Sequence, residues 1–243
     1  VKLDYTGQRA LVVGGSSGIG NGIAQALLAV GAAVEVWGTR VSAEDYQGVE
    51  GSDLSGLAYR QVDVSDPAAI LSASIPERLD VLILCQGTVR YGGAEFQPEG
   101  WGQVMDVNIN SVMDCARRCF PALKAAGGRV VIVSSVAGFN ATIGNPAYAA
   151  SKHAAVGLTK TLGAAWARDG VRVNGLAPGL VETKLTRVTT QNEKRLAGAL
   201  RGIPQGRLGT PGDMAGVALF LTSPLAAYVT GQTLIADGGL SLQ

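Results

Sequence analysis

A glycine-rich run, Gly14-Gly15-Ser16-Ser17-Gly18-Ile19-Gly20, separates a short β-branched stretch from an alanine-rich one. Residues 10–13 read as a buried strand, and residues 23–28 carry the apolar spacing of a helix. Gly31 stops that helix, and residues 33–37 resume as a strand. Strand, loop, helix and strand in this order make a βαβ unit. Parallel neighbours need such crossovers, so a chain that begins this way is committed to a parallel sheet covered by helices on both faces.

The alternation continues. Residues 38–56 are polar and glycine-containing, a loop with at most a short helix. Strands are expected at 59–62, 79–85, 129–134, 171–176 and 233–236. Helices are expected from Asp66-Pro67, over 101–123 with a split near Asn108–Asn110, over 146–166 and over 211–221. Gly127-Gly128 and Pro178-Gly179 punctuate the pattern, and the more polar segment 182–203 reads as a mobile helical flap. No linker or repeat divides the 243 residues, so the expectation is a single α/β domain over 1–243.

Composition narrows the partners. A net charge of +1 with no Lys/Arg run gives no electrostatic case for nucleic acid or a membrane surface. Apolar runs break well before the roughly 20 residues needed to span a bilayer. The start, Val1-Lys2-Leu3, has no signal-peptide pattern, and Cys85, Cys115 and Cys119 form no regular framework, so reduced thiols and a cytoplasmic location are expected. His153 is the sole imidazole, so no metal site of the Cys/His type is expected. A low charged fraction of 16% suggests that sister subunits cover part of the surface.

The glycine loop lets backbone approach a pyrophosphate while the following helix aims free amides at it. In this βαβ context a dinucleotide reading of Gly14, Ser16, Ser17, Gly18, Ile19 and Gly20 prevails over a purely structural turn. Asp63-Val64, after the third strand, can hold an adenine edge or simply cap the strand. At the end of the second strand Gly38-Thr39-Arg40 stands where a ribose-binding carboxylate is expected. Arg40 can donate to a 2′-phosphate or be a solvated arginine; the reading leans to NADP(H) over NAD(H).

Tyr148 and Lys152 lie i and i+4 near the start of the long helix and share a face. A tyrosine beside a cation suits proton transfer to an alkoxide formed by hydride addition, although such pairs also occur on ordinary helices. Ser135, which ends a strand 13 residues earlier, can hydrogen-bond the reacting oxygen. Asn108 interrupts an apolar helical pattern; its amide can hold a relay water toward Lys152 or satisfy backbone at a kink. His153 faces another direction and reads as a structural or subunit-contact residue.

Together, Tyr148-Ala149-Ala150-Ser151-Lys152, Ser135, Asn108, the glycine loop, Asp63-Val64, Pro178-Gly179 and Asp237-Gly238-Gly239 resemble, in order and over nearly the whole chain, the classical short-chain dehydrogenase/reductase family. That resemblance implies a doubly wound, predominantly parallel seven-stranded sheet in a homotetramer or homodimer. It implies Tyr148 as general acid/base, Lys152 as ribose ligand that lowers the tyrosine pKa, Ser135 as carbonyl orienter and Asn108 as support for a water relay. Pro178, Gly179, Val181 and Thr183 would pass beside nicotinamide and pyrophosphate. The substrate, a small ketone or secondary alcohol, would sit against Ser135, Tyr148, Ala137, Phe139, Asn145 and Leu180, with Tyr91 and the flap nearby. Two departures stand out: Val13-Gly14 replaces Thr-Gly, and Leu84-Cys85-Gln86-Gly87 replaces Asn-Asn-Ala-Gly, with Gln86 a candidate to recover a polar contact. The competing reading is a catalytically inactive dinucleotide sensor or partner-binding protein.

Overall fold

The computed structural model describes residues 3–242. Val1, Lys2 and Gln243, which the expected domain includes, lie outside the described residues. Seven strands, β1 (Arg9–Val13), β2 (Ala33–Gly38), β3 (Ala58–Gln61), β4 (Val81–Leu84), β5 (Arg129–Val133), β6 (Arg172–Pro178) and β7 (Thr233–Ala236), form one parallel sheet ordered β3-β2-β1-β4-β5-β6-β7. The helices are α1 (Gly18–Ala29), α2 (Pro67–Ser72), α3 (Pro98–Met105), α4 (Ser111–Ala126), α5 (Pro146–Trp166), α6 (Arg187–Thr190), α7 (Glu193–Arg201) and α8 (Pro211–Thr222). None of the described helices is long and apolar enough to cross a membrane.

Side chains alternate across each strand, which splits the core into two layers. Leu11, Val13, Leu82, Leu84 and Ile132 face Cys115, Cys119, Leu123 and Leu162 of α4 and α5. Ala10, Val12, Ile83 and Val131 face Ile23 and Leu27 of α1 and Met214 and Leu221 of α8. Each fully buried Leu or Ile contributes roughly 1.5–3 kcal/mol relative to exposure. The cysteines are all free thiols, two of them inside the first layer. Trp166 packs on Phe120 with ring centroids 4.4 Å apart.

Local chemistry sets the helix starts. The Asp66 carboxylate accepts the Ala68 N–H at 2.9 Å and Pro67 occupies the first turn of α2. Thr210 and Asp213 close a reciprocal cap on α8. The expected split near Asn108 is a π-helical turn, Asp106–Asn110, that keeps α3 and α4 continuous and turns Asn108 inward, 1% exposed. The strand expected over 79–85 is shorter, because Leu79 N–H bonds Ala122 O at 3.1 Å, off the ladder.

The strand order reverses between β1 and β4, each hydrogen-bonded to the other while their crossovers leave in opposite directions. A crevice opens outside the carboxyl ends of strands at such a switch point. Gly14 leaves β1 there and Cys85-Gln86-Gly87 leaves β4.

Candidate active site

Gly14 has φ +73°, and a Cβ at this position would sit 2.8 Å from the Gln86 amide nitrogen. Gly18, at φ +58°, opens α1, and a Cβ there would meet Thr183 Cγ2 at 3.3 Å. The loop is therefore a shallow backbone cradle under the first free amides of α1, a helix with no acidic residue in its first turn. A cavity of about 420 Å³ extends from it, within the size range of small-molecule sites. Gly14, Ser16, Ser17, Gly18, Ile19 and Gly20 line one side; Thr39, Val64 and Gly87 line another; Pro178, Gly179, Val181 and Thr183 form the roof. A cradle that side chains would fill, leading to a long cleft, fits a dinucleotide.

Ser135, Tyr148 and Lys152 line the same cavity. Ser135 lies two residues past β5, and its Oγ accepts the Ala137 N–H at 3.1 Å, which fixes the turn Val136–Gly138. Pro146 starts α5 and places Tyr148 in its first turn, with Lys152 one turn further. Ser134 Oγ donates to Lys152 O at 2.8 Å and ties α5 to β5. The Lys152 ammonium donates to Val133 O at 3.0 Å and stands 5.6 Å from the Tyr148 ring centroid.

Burial dominates the electrostatics. It pulls the Lys152 ammonium down to about 8, with the Cys85 sulfur opposing it, and pushes the Cys85 thiol up to about 11. The Tyr148 phenol is raised by burial and lowered in part by its hydrogen bond with the Ser135 hydroxyl. The net direction for the Tyr148 phenol is upward, with burial the largest cause.

Other expected residues lie elsewhere. The Asn108 amide is taken up by the protein: Oδ1 accepts the Thr88 N–H at 2.7 Å, and Nδ2 donates to Thr88 O at 3.0 Å and to Ser151 Oγ at 3.1 Å. It clamps the loop after β4 to α5 rather than contacting Lys152. Asp63 Oδ1 accepts the Ser65 amide and hydroxyl at 2.9 and 2.7 Å, and it is Val62 and Val64 that reach the cavity. The Arg40 guanidinium lies over the Tyr46 ring, 4.8 Å from its centroid, and donates to Asp45 O. Gln86 recovers one contact, donating to Ser111 Oγ at 3.1 Å, while its buried Oε1 has no protein partner.

The expected substrate wall is only partly assembled. Ala137 is buried and Phe139 is 42% exposed. Asn145 Nδ2 donates to Arg90 O at 3.0 Å and Glu95 Oε1 at 3.3 Å. Leu180 lines a separate cleft with Met214 and Asp237, because alternate residues of an extended segment point oppositely and Val181 takes the cavity side. Tyr91 donates its hydroxyl to Leu185 O at 2.9 Å, joining the loop after β4 to the segment after Thr183. His153 is exposed, its Nδ1 2.9 Å from Ala149 O.

Two residues escaped sequence reasoning. Lys184 lines the cavity, near enough to Arg40 and Arg187 that their charges, after burial, hold its ammonium below the usual lysine range. Glu95 is 1% exposed beside Tyr148, whereas Phe96 is 66% exposed, the reverse of what polarity suggests.

Comparison with known proteins agrees with this geometry. The family model described as Enoyl-(Acyl carrier protein) reductase matches residues 13–241. The chain is 36% identical over 241 residues to 2-dehydro-3-deoxy-D-gluconate 5-dehydrogenase of Bacillus subtilis, covering 96% of this chain and 94% of that one. It is 36% identical over 242 residues to a 3-oxoacyl-[acyl-carrier-protein] reductase of Chlamydia muridarum, with 96% of each covered. A putative 2-deoxy-D-gluconate 3-dehydrogenase of Agrobacterium tumefaciens, solved with bound NADP, superposes with a TM-score of 0.89 at 35% identity, covering 100% of this chain and 99% of that one.

Proposed function

The chain belongs to the short-chain dehydrogenase/reductase family, and from that premise we propose how its residues move the proton that accompanies hydride transfer. The protein is an oxidoreductase that transfers a hydride between a nicotinamide cofactor and a carbonyl or secondary alcohol. Relatives named as dehydrogenases and reductases support this reading and not the inactive sensor. When bound, the nicotinamide dinucleotide supplies or takes the hydride. The Tyr148 hydroxyl protonates the carbonyl oxygen in reduction and takes the alcohol proton in oxidation. Ser135 Oγ holds the same oxygen, which orients the substrate before chemistry and stabilises developing charge. Lys152 would hold the ribose hydroxyls and balance the phenolate, while Asn108 fixes the Thr88 backbone nearby. The carrying observation is that Ser135, Tyr148 and Lys152 line the same cavity as the glycine loop. A panel of ketones and alcohols, including a 2-dehydro-3-deoxy sugar acid and a 3-oxoacyl thioester, assayed with NADPH, NADH and their oxidised forms, tests it. No turnover of any member by the folded, cofactor-binding chain would count against it.

The cofactor is NADP(H) in preference to NAD(H). Support comes from the turn Gly38-Thr39-Arg40, which lacks a carboxylate, and from Lys184, which adds a second cation across the cleft. Adenosine 2′-phosphate is the anion this pair would take, with Arg40 turning from Asp45 to reach it. A charge-assisted hydrogen bond contributes about 1.5–3 kcal/mol. Arg40→Ala and Lys184→Ala are each expected to weaken NADPH binding by about tenfold and leave NADH binding unchanged. Equal NADPH affinity for the variants and the parent in a fluorescence titration would remove both residues from this role.

The segment 182–203 acts as the substrate flap; its ties to the body include the Tyr91–Leu185 hydrogen bond and the Arg187–Glu50 ion pair at 2.8 Å. A homotetramer or homodimer fits the exposed Trp101 and Met113 on α3 and α4, and light scattering checks it. The free thiols fit the cytoplasm.

A further inference from the structure

A buried carboxylate stands beside the proton donor and has no part in the chemistry above. Glu95 lies on the turn Ala94–Phe96, 1% exposed. Its Oε2 accepts the Tyr148 N–H at 2.9 Å. Its Oε1 accepts the Arg90 N–H at 2.9 Å and Asn145 Nδ2 at 3.3 Å, and Asn145 also donates to Arg90 O at 3.0 Å. A buried carboxylate is tolerated only with such partners, and these come from two segments that meet at the catalytic cavity.

The location adds a second effect. The first amides of a helix have no intrahelical acceptor, and that end of the helix is positive. Tyr148 donates one of those amides, in the first turn of the 21-residue α5. Asn145, the N-cap, makes no side-chain cap of its own. Glu95 therefore supplies the cap that the local sequence lacks, and does so from 53 residues away. Arg90 is followed by Tyr91, whose hydroxyl reaches Leu185, so the loop that this carboxylate holds is itself tied to the segment after Thr183.

We propose that Glu95 is a positioning residue: its carboxylate fixes the backbone of Tyr148 against the Arg90 loop and so holds the phenol where it can donate its proton. This rests on Tyr148 as the acid/base. The groups facing the phenol are the Ser135 hydroxyl just past β5, the Cys85 thiol at the end of β4, the Tyr91 phenol of the loop after β4, Lys152 on the same helix and Glu95. Burial raises the Tyr148 pKa most, the Ser135 hydrogen bond lowers it, and Cys85 and Glu95 add smaller upward effects through their charge.

The test uses the full chain with NADP⁺ and needs no substrate. Tyrosine labelled with ¹³C at Cζ is followed by NMR from about pH 9, below the ordinary tyrosine pKa, upward through the raised Tyr148 transition, and the Tyr148 signal is assigned by its loss in Tyr148→Phe. Glu95→Gln keeps the shape, removes the charge and puts an amide donor against one of three N–H donors. Expected are a Tyr148 titration moved to lower pH, faster exchange of the Tyr148 amide proton and an NADP⁺ affinity changed by less than about twofold. In the panel's active substrate pair, kcat should fall about 10- to 100-fold. Glu95→Asp, which restores charge on a shorter stem, should return the titration toward the parent and leave the amide loosened. If Glu95→Gln lowers thermal stability but leaves the Tyr148 titration and amide exchange where they were, the residue is only structural and the proposal fails. Should Glu95→Gln not fold, Glu95→Asp with unchanged amide exchange overturns it equally. Retained turnover in Tyr148→Phe would instead sink the acid/base assignment, whatever Glu95 does.

Discussion

Tyr148→Phe is expected to lower turnover by about 10²–10⁴-fold, the range for loss of a positioned general acid, with cofactor affinity unchanged. The substitution removes one hydroxyl and leaves the ring that packs in the first turn of α5. The hydroxyl's side-chain partner is Ser135, so the backbone contacts to Glu95 and the helix are untouched. Among the described residues, the neighbouring groups are poor acids or committed elsewhere: Tyr91 donates its hydroxyl to Leu185 O at 2.9 Å. Burial holds the Cys85 thiol up to about 11, which makes it a poor acid near neutral pH. The Lys152 ammonium is committed to Val133 O at 3.0 Å. His153, the sole imidazole in the chain, is exposed and turned back on Ala149. Steady-state kinetics on a substrate from the panel, an NADPH titration and a thermal melt together check the prediction. Normal kcat in a folded, cofactor-binding variant would remove Tyr148 from proton transfer.

Where the sequence was legible, the signals were local. The helix expected over 146–166 is the one observed, because Pro146 is favoured at a first helical position and the apolar spacing runs unbroken to Trp166. The glycine loop could be read because its function is carried by backbone, which glycines expose directly. Tyr148, Lys152 and Ser135 followed from helical spacing and a strand end. The residues that were missed or misplaced depend on distant partners. Glu95 follows Gly92-Gly93, where nothing local marks it as buried, and its partner Tyr148 is 53 residues on. Asn108 was recognised as an anomaly, but its partners Thr88 and Ser151 come from two other segments and could not be read from spacing along the chain. Leu180 and Val181 were separated by a single step in an extended chain, where one residue faces the cavity and the next faces away. Arg40 has two ways to satisfy a guanidinium, Tyr46 with Asp45 or an anion, and spacing along the chain does not choose between them.

Lys152→Met should cost about 10²-fold or more in kcat while leaving the ligand-free chain at pH 7 no less stable than the parent. The kinetic half follows from losing the charge that balances the phenolate and the donor for the ribose. The stability half follows from burial. Lys152 is 5% exposed, and its ammonium is pulled from 10.5 down to about 8, chiefly by desolvation. The unfolded chain thus binds more protons than the folded chain between about pH 8 and 10.5, so this group's contribution rises with pH across that window. It is lost as pH falls through about 8, and below that the folded state carries the whole cost. A shift of this size corresponds to an order of magnitude of 3 kcal/mol, roughly 1.4 per pH unit. Methionine keeps the stem length and the packing on Tyr148, removes the charge and forfeits the hydrogen bond to Val133 O, worth about 1 kcal/mol. The balance favours the variant at pH 7, and its advantage should shrink and reverse as pH approaches 10.5. Thermal melts of parent and variant across that range check the sign. A variant that melts several degrees below the parent at pH 7 would show that Lys152 is held by stronger compensation than one carbonyl and one aromatic face. The burial that makes the lysine costly also places its ammonium 5.6 Å from the Tyr148 ring centroid, where charge is weakly screened, so its proposed contribution to catalysis and its burden on stability have one physical origin.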